Sequence, residues 1–198
     1  MHKTFALASL IFFLALSAGL PPKKRCPASG DGISKEKKAF NTKKNRSITV
    51  APEWEAEFLP LKNLLPSRQR IDKNLWYEGA YVYTEGYLTS AEEQGPESCN
   101  CKQASIKSKD GDVHMYLSLV PEAPKKNSLV VEMTPAFKKK HLNYADNLIL
   151  YTKVRVYGFL FYDYDHENAS FTTCTKCSNI WRKTCWEIHP VTSMEVIE

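Results

Sequence analysis

His114, His166 and His189 are three of only five histidines in the chain, and each has carboxylates close by. His114 follows Asp112, with Glu132 on a later apolar run. His166 closes Asp163-Tyr-Asp165-His166, and His189 closes Glu187-Ile-His189. Imidazole and carboxylate together suit two kinds of chemistry: ligation of a divalent metal, and general acid–base work near neutral pH. The candidate binding set is therefore His114, Glu132, Asp163, His166, Glu187 and His189, with His114, His166 and His189 as candidate metal ligands. Each also has a plain structural reading. Asp-x-x-His is a strand-end turn in which the carboxylate accepts from backbone N–H groups or the imidazole. Glu187 and His189 share one strand face while Trp186 and Ile188 share the other, as on any half-buried strand. No Gly-x-Ser-x-Gly, His-Glu-x-x-His or phosphate-loop pattern occurs, and no catalytic residue is assigned.

Strands must position these side chains. Leu75–Ser90 is aromatic and β-branched, with Gly79 and Gly86 inside it as bend points. Ala80, Val82 and Thr84 alternate with Tyr81, Tyr83 and Glu85, so the two sets face opposite sides. Val113–Val120 alternates as well: Val113, Met115, Leu117 and Leu119 on one face, His114, Tyr116 and Ser118 on the other. Ser128–Pro135 gives a third strand carrying Glu132. Ala136–Leu150 has helical spacing at Phe137, Tyr144, Ala145 and Leu148. Lys153–Tyr162 is a fourth strand, and Trp181–Val196 a fifth, with a point of interruption at Pro190. The expected fold is mainly β: a five-stranded OB-like Greek-key barrel with one helix between its third and fourth strands. The expected organisation is a signal peptide over 1–19, a basic disordered tail over 20–50, an irregular packing segment over 51–74, and the barrel over 75–198.

The N-terminus carries the signal: His2 and Lys3, an apolar run from Phe5 to Leu16, then small residues. That run is short for a membrane span of about 20 residues, so the mature chain is expected to be exported, to a periplasm or beyond the cell. About 180 residues remain, enough for one domain with a core. The formal net charge is +5, but Lys23–Arg46 alone holds nine basic residues against Asp31 and Glu36. Ser47–Glu198 holds 17 basic and 20 acidic residues, which argues against a basic nucleic-acid groove on the domain.

Six cysteines, Cys26, Cys99, Cys101, Cys174, Cys177 and Cys185, are an even number in a chain expected to be exported. Disulfides are the leading reading, and 15 full pairings are open. Zinc held by Cys99-Asn-Cys101 and Cys174-Thr-Lys-Cys177 is a second reading, and free thiols a third.

The set Asp112-Val-His114, Glu132-Met-Thr-Pro135, Val154-Arg-Val156-Tyr-Gly158 followed by Asp163-Tyr-Asp-His166, and Trp186-Glu-Ile-His-Pro-Val191 resembles a group of exported bacterial OB-fold-like proteins. Gly95-Pro-Glu-Ser-Cys-Asn-Cys101 fits the same pattern, and the resemblance covers about Glu78 to Val196. It implies the OB-like fold and export, and it points to His114, Glu132, Asp163, His166, Glu187 and His189. It implies no reaction. Cys174, Cys177 and Cys185 lie outside the shared pattern and would staple the Glu167–Asn179 loop to the last strand.

The leading functional expectation is an exported binding domain that takes a small ligand, a saccharide, a nucleic-acid fragment or a protein near its strand ends. A divalent metal is the one cofactor these residues suggest. The alternatives are a metal-dependent hydrolase of phosphodiesters or nucleic acid, and a structural envelope module. Tyr81, Tyr83 and Tyr87 would form a stacking face, though strand aromatics also serve cross-strand packing.

Overall fold

The computed structural model describes residues 26–46, 52–67, 74–102, 111–141, 149–174 and 176–197. The expected signal peptide lies outside them. Helix α1 is Lys35–Lys44. A two-residue strand β1, Glu57–Phe58, and a short helix α2, Leu61–Leu64, precede the barrel. The barrel strands are β2 (Tyr81–Glu93), β3 (Val113–Ser118), β4 (Leu129–Met133), β5 (Lys153–Tyr162) and β6 (Trp186–Val196). Helix α3, Pro135–Lys140, lies between β4 and β5, shorter than expected; residues 142–148 fall outside the described set.

The strands pair in the order β1-β2-β3-β4-β6-β5, and β2 pairs back onto β5. The result is a closed five-stranded OB-like barrel with one extra strand. All barrel pairs are antiparallel except β4 with β6.

Closure depends on β2. Its first half, Tyr81–Tyr87, pairs with β5, and its second half, Tyr87–Glu93, pairs with β3. Gly86 stands where the partner changes. A Cβ there would lie 2.5 Å from Leu61 Cδ2 and 2.8 Å from the Ser118 carbonyl, so no larger residue fits unless its neighbours move. Gly158 meets the same constraint on β5, 2.4 Å from Ile188 Cγ2 and 2.5 Å from the Pro190 carbonyl. β6 continues through Pro190 where an interruption was expected. The loss of one N–H is absorbed by register shifts opposite Gly158.

Alternation fills the interior with Met115 and Leu117 from β3, Leu129, Val131 and Met133 from β4, Val154 and Val156 from β5, and Ile188 and Val191 from β6. Leu59, Leu61, Leu64 and Leu65 complete this core from the irregular segment. The opposite face of β3, β4 and β6 should meet water by the same alternation. It does not: His114, Glu132, Glu187 and His189 are all buried.

Part of the cover comes from Trp181 and Arg182, and part from residues 26–46, expected to belong to a disordered basic tail. Ser34 Oγ caps α1 by accepting from Lys37 N–H at 3.0 Å, with Glu36 in the first turn and Lys43 and Lys44 in the last. Phe40 packs on Phe161 of β5, ring centroids 5.0 Å apart. Asn45 Nδ2 donates to the Cys99 carbonyl at 2.8 Å, Ser98 Oγ donates to Asn41 Oδ1 at 3.2 Å, and Cys26 is bonded to Cys101. A charge count sees only solvated lysines in this segment. One ring, several amide contacts and a crosslink hold it on the barrel wall instead.

A buried histidine and carboxylate centre

Three adjacent strands build the centre in one row. His114 on β3 is the register partner of Glu132 on β4, and β6 runs alongside with Glu187 opposite Val130. Two residues on, His189 reaches the same carboxylate. His114 Nε2 lies 2.6 Å from Glu132 Oε1, and His189 Nδ1 lies 2.7 Å from Glu132 Oε2. At these ion-pair distances each Glu132 oxygen faces an imidazole nitrogen. His114 Nδ1 and His189 Nε2 are buried without a hydrogen-bond partner.

Lys44 enters from α1. Its Nζ is 3.0 Å from Glu97 Oε2 and 3.7 Å from Glu132 Oε2. Asp112, just before β3, accepts from Asn100 Nδ2 at 2.8 Å, while its Oδ1 is buried with no partner. Cys99 Sγ lies 3.3 Å from Glu97 Oε2.

A second part continues from the first. His189 Nδ1 is also 3.3 Å from Glu187 Oε1. Glu187 Oε2 accepts from Arg182 Nη2 at 2.8 Å, and Arg182 Nη1 donates to Asp163 Oδ2 at 3.1 Å. Asp163 in turn bonds His166 Nδ1 at 2.5 Å. Trp181 faces His114 and sets its edge against His166, with centroids 6.2 Å and 5.3 Å away. All six candidate residues thus belong to one connected chain of contacts. Four lie along the covered outer wall of β3, β4 and β6, with Asp163 and His166 on the turn after β5.

Burial opposes every charge here, so the neighbours decide. For Lys44, burial pulls the pKa down, but Glu132 and Glu97 outweigh it and hold it well above the usual lysine range. Burial likewise works against ionised Glu132, and His114, His189 and Lys44 together carry it well below the usual carboxylate range. His189 is disfavoured as a cation by burial and favoured more strongly by Glu132, reaching about 10. Burial and then the Glu132 charge push Asp112 up to about 6.

Among the described residues, two donor groups that share Asp112 suit a metal. Asp112, Glu132 and His189 each offer an oxygen or nitrogen, and the three atoms lie within 4.8 Å of one another. Glu97, Cys99 and Asp112 form a second such group. Of the expected ligand trio, only His189 belongs to either group. His114 adjoins Glu132, whereas His166 belongs to the Asp163 turn. A pocket of about 280 Å³ borders the network, lined by Lys37, Lys44, Glu97, Asp163, Asp165 and His166 among others.

The leading cysteine expectation, disulfides, holds for two pairs, Cys26–Cys101 and Cys174–Cys177. Three of the four thiols of the alternative zinc site, Cys101, Cys174 and Cys177, are thereby taken. Cys99 and Cys185 are buried thiols and not disulfide partners, with pKa values raised first by burial. Cys185 does not staple the loop covalently; its Sγ contacts Ser170 Oγ at 3.1 Å.

Lys44 was the residue least visible in the sequence, because it lies in a lysine-rich run. The only signals were the helix polarity marks Ser34, Glu36 and Lys43. Asp112 stood beside His114 in the sequence. The fold gives Arg182 to Asp163 and Glu187.

No family model matches the chain. No curated protein matches it either. Among solved structures, asparaginyl-tRNA synthetase from Pyrococcus horikoshii, complexed with asparaginyl-adenylate, is similar at 14% identity over 61% of this chain, with a TM-score of 0.35. The chain spans 20% of that protein's length. Similarity at this level bears on neither site nor activity. Among the described residues no helix is long and apolar enough to cross a membrane.

Proposed function

We propose that this protein is an exported OB-like binding module whose ligand centre is the buried row on β3, β4 and β6, and that the centre takes a divalent cation through Asp112, Glu132 and His189. One observation carries the reading: Asp112, Glu132 and His189 bring donor atoms within 4.8 Å of one another, and Asp112 Oδ1 and His189 Nε2 among them are buried polar atoms without hydrogen bonds. A buried unsatisfied polar atom costs about 1–3 kcal/mol, and an ion would satisfy several together. Their convergence within 4.8 Å is on the scale of donors around one ion with bonds of about 2.0–2.2 Å. Glu187 bonded to His189 supplies the outer contact that metal-bound histidines generally have. Lys44 and protonated His189 balance Glu132 when no ion is present. A divalent ion would replace that charge, displacing the His189 proton. The two disulfides fit an oxidising compartment and so support export.

Calorimetric titration of chelator-treated protein with Zn²⁺ and Mn²⁺ tests the proposal. Saturable binding of one ion, lost in His189→Ala and in Glu132→Gln, is expected. Absence of binding by the folded wild type would end this reading.

A second reading, metal-dependent hydrolysis, rests on the Asp163–His166 pair at the adjoining pocket, since a carboxylate-oriented histidine is suited to proton transfer. It requires phosphodiester cleavage that chelation abolishes, metal restores and His166→Gln reduces by 10²-fold or more. Inactivity of the metal-loaded protein on a nitrophenyl phosphodiester and on single-stranded DNA would remove it.

A further inference from the structure

The other wall of the barrel carries a feature that the buried centre does not use. Phe58 of β1, Tyr83 of β2 and Tyr157 of β5 are register neighbours across three strands. Their rings form a row, with centroids 5.0 Å and 5.3 Å apart and planes inclined by 33° and 32°. Trp54 stands beside the row and is 79% exposed, although burying such a ring is among the largest apolar gains available to a fold. A concavity of about 710 Å³ runs along it, lined by Glu53, Trp54, Ala56, Tyr83, Arg155 and Tyr157.

The next rung across the sheet is polar. Arg155 donates through Nε and Nη2 to Glu85 Oε1 at 2.8 and 2.6 Å, and through Nη1 to Glu195 Oε1 at 2.9 Å. Glu53, Glu85 and Glu195 leave this surface net negative against Arg155, which disfavours a polyanion. A cationic partner meets a different obstacle. The Arg155 guanidinium already lies 5.5 Å from the Tyr83 ring centroid, where an incoming ammonium would sit. A neutral ligand with an apolar face and a hydroxyl perimeter meets neither obstacle. Its C–H face stacks on Trp54 and on the accessible parts of Phe58 and Tyr83, which the buried Tyr157 backs, and its hydroxyls find carboxylate acceptors and guanidinium donors fixed by their mutual pairing.

We infer that the groove between Trp54 and the Phe58–Tyr83–Tyr157 row binds a neutral oligosaccharide. The site is separate from the buried centre and does not depend on it.

Calorimetry with cellohexaose, maltohexaose and chitohexaose, beside hexalysine and a ten-residue oligothymidylate, tests this on the full mature chain. Saturable binding of at least one of the three saccharides is expected, weakened at least tenfold in Trp54→Ala with the melting temperature unchanged. Tyr83→Leu, which removes the central ring, should weaken the same saccharide. If no saccharide binds at millimolar concentration, or if Trp54→Ala binds as well as wild type, the inference is wrong. Preference for hexalysine or oligothymidylate, or concentration-dependent dimerisation abolished by Trp54→Ala, would equally overturn it.

Discussion

Arg182 Nη2 donates to Glu187 Oε2 at 2.8 Å, and neither side chain reaches solvent. The same guanidinium holds Asp163, so one cation supports two carboxylates of the network. A buried ion pair of this kind adds little net stability over apolar packing, but removing one partner leaves the other charge stranded. Arg182→Met should therefore lower unfolding free energy by about 3–5 kcal/mol. Arg182→Lys should restore little, because an ammonium does not reproduce the fork that reaches both carboxylates. Urea unfolding of the two variants checks this; a loss below about 1 kcal/mol, the scale of an exposed pair, would contradict it.

Lys44 separates a metal centre from a merely structural network. Its ammonium lies beside Glu97 and Glu132, where it would compete with a divalent ion. Lys44→Met should raise Zn²⁺ affinity by tenfold or more while lowering the stability of the metal-free protein. Titration calorimetry and chelator-treated melting curves read the two effects separately. If the variant loses stability and gains no affinity, Lys44 serves packing alone.

The Asp163–His166 pair gives a defined pH dependence. The hydrogen bond to Asp163 raises the His166 pKa above its ordinary 6.5. Its stabilising contribution is then complete below that value and fades as pH rises through the raised pKa. Asp163 is opposed by burial but held well below its ordinary 3.8 by His166 and Arg182. Its contribution is present above that value and disappears as pH falls through the lowered one. The stability gap between wild type and His166→Gln should shrink from pH 6 towards alkaline pH. A gap constant across that range would contradict the assignment.

Cys26–Cys101 crosslinks positions 75 residues apart and fastens the segment that bears Lys44. Loop-closure entropy alone assigns such a crosslink about 4 kcal/mol. Cys26→Ser with Cys101→Ser should lower the melting temperature and increase proteolysis before Glu53. Unchanged protection of residues 26–46 from hydrogen exchange would show that the amide contacts of Asn41 and Asn45 suffice.

Much of the barrel was legible in the sequence because alternation and glycine placement are local signals. Val113, Met115 and Leu117 and the Leu129–Met133 run show their inward faces directly, whereas Leu119, expected on the same face, lies past the end of β3 and is exposed; Gly86 marks the bend in β2. The six polar candidates were visible as well: His114, Glu132, Glu187 and His189 interrupt apolar strands, and Asp163 and His166 mark the turn after β5. Their burial was not visible. It comes from Trp181 and Arg182 in the segment before β6 and from α1, whose attachment depends on Phe40, Asn41, Asn45 and a disulfide to a loop far along the chain. Periodicity carries no information about such a partnership. Nor did the spacing of Cys99 and Cys101 reveal that only Cys101 is crosslinked.

Metal content of the mature protein, isolated without a metal-affinity tag, tests the central claim most directly. The account predicts about one divalent ion per chain, or one taken up after incubation with Zn²⁺ or Mn²⁺, and its loss in His189→Ala. Folded protein that stays metal-free after incubation would contradict it, as would metal retained in His189→Ala and in Glu132→Gln.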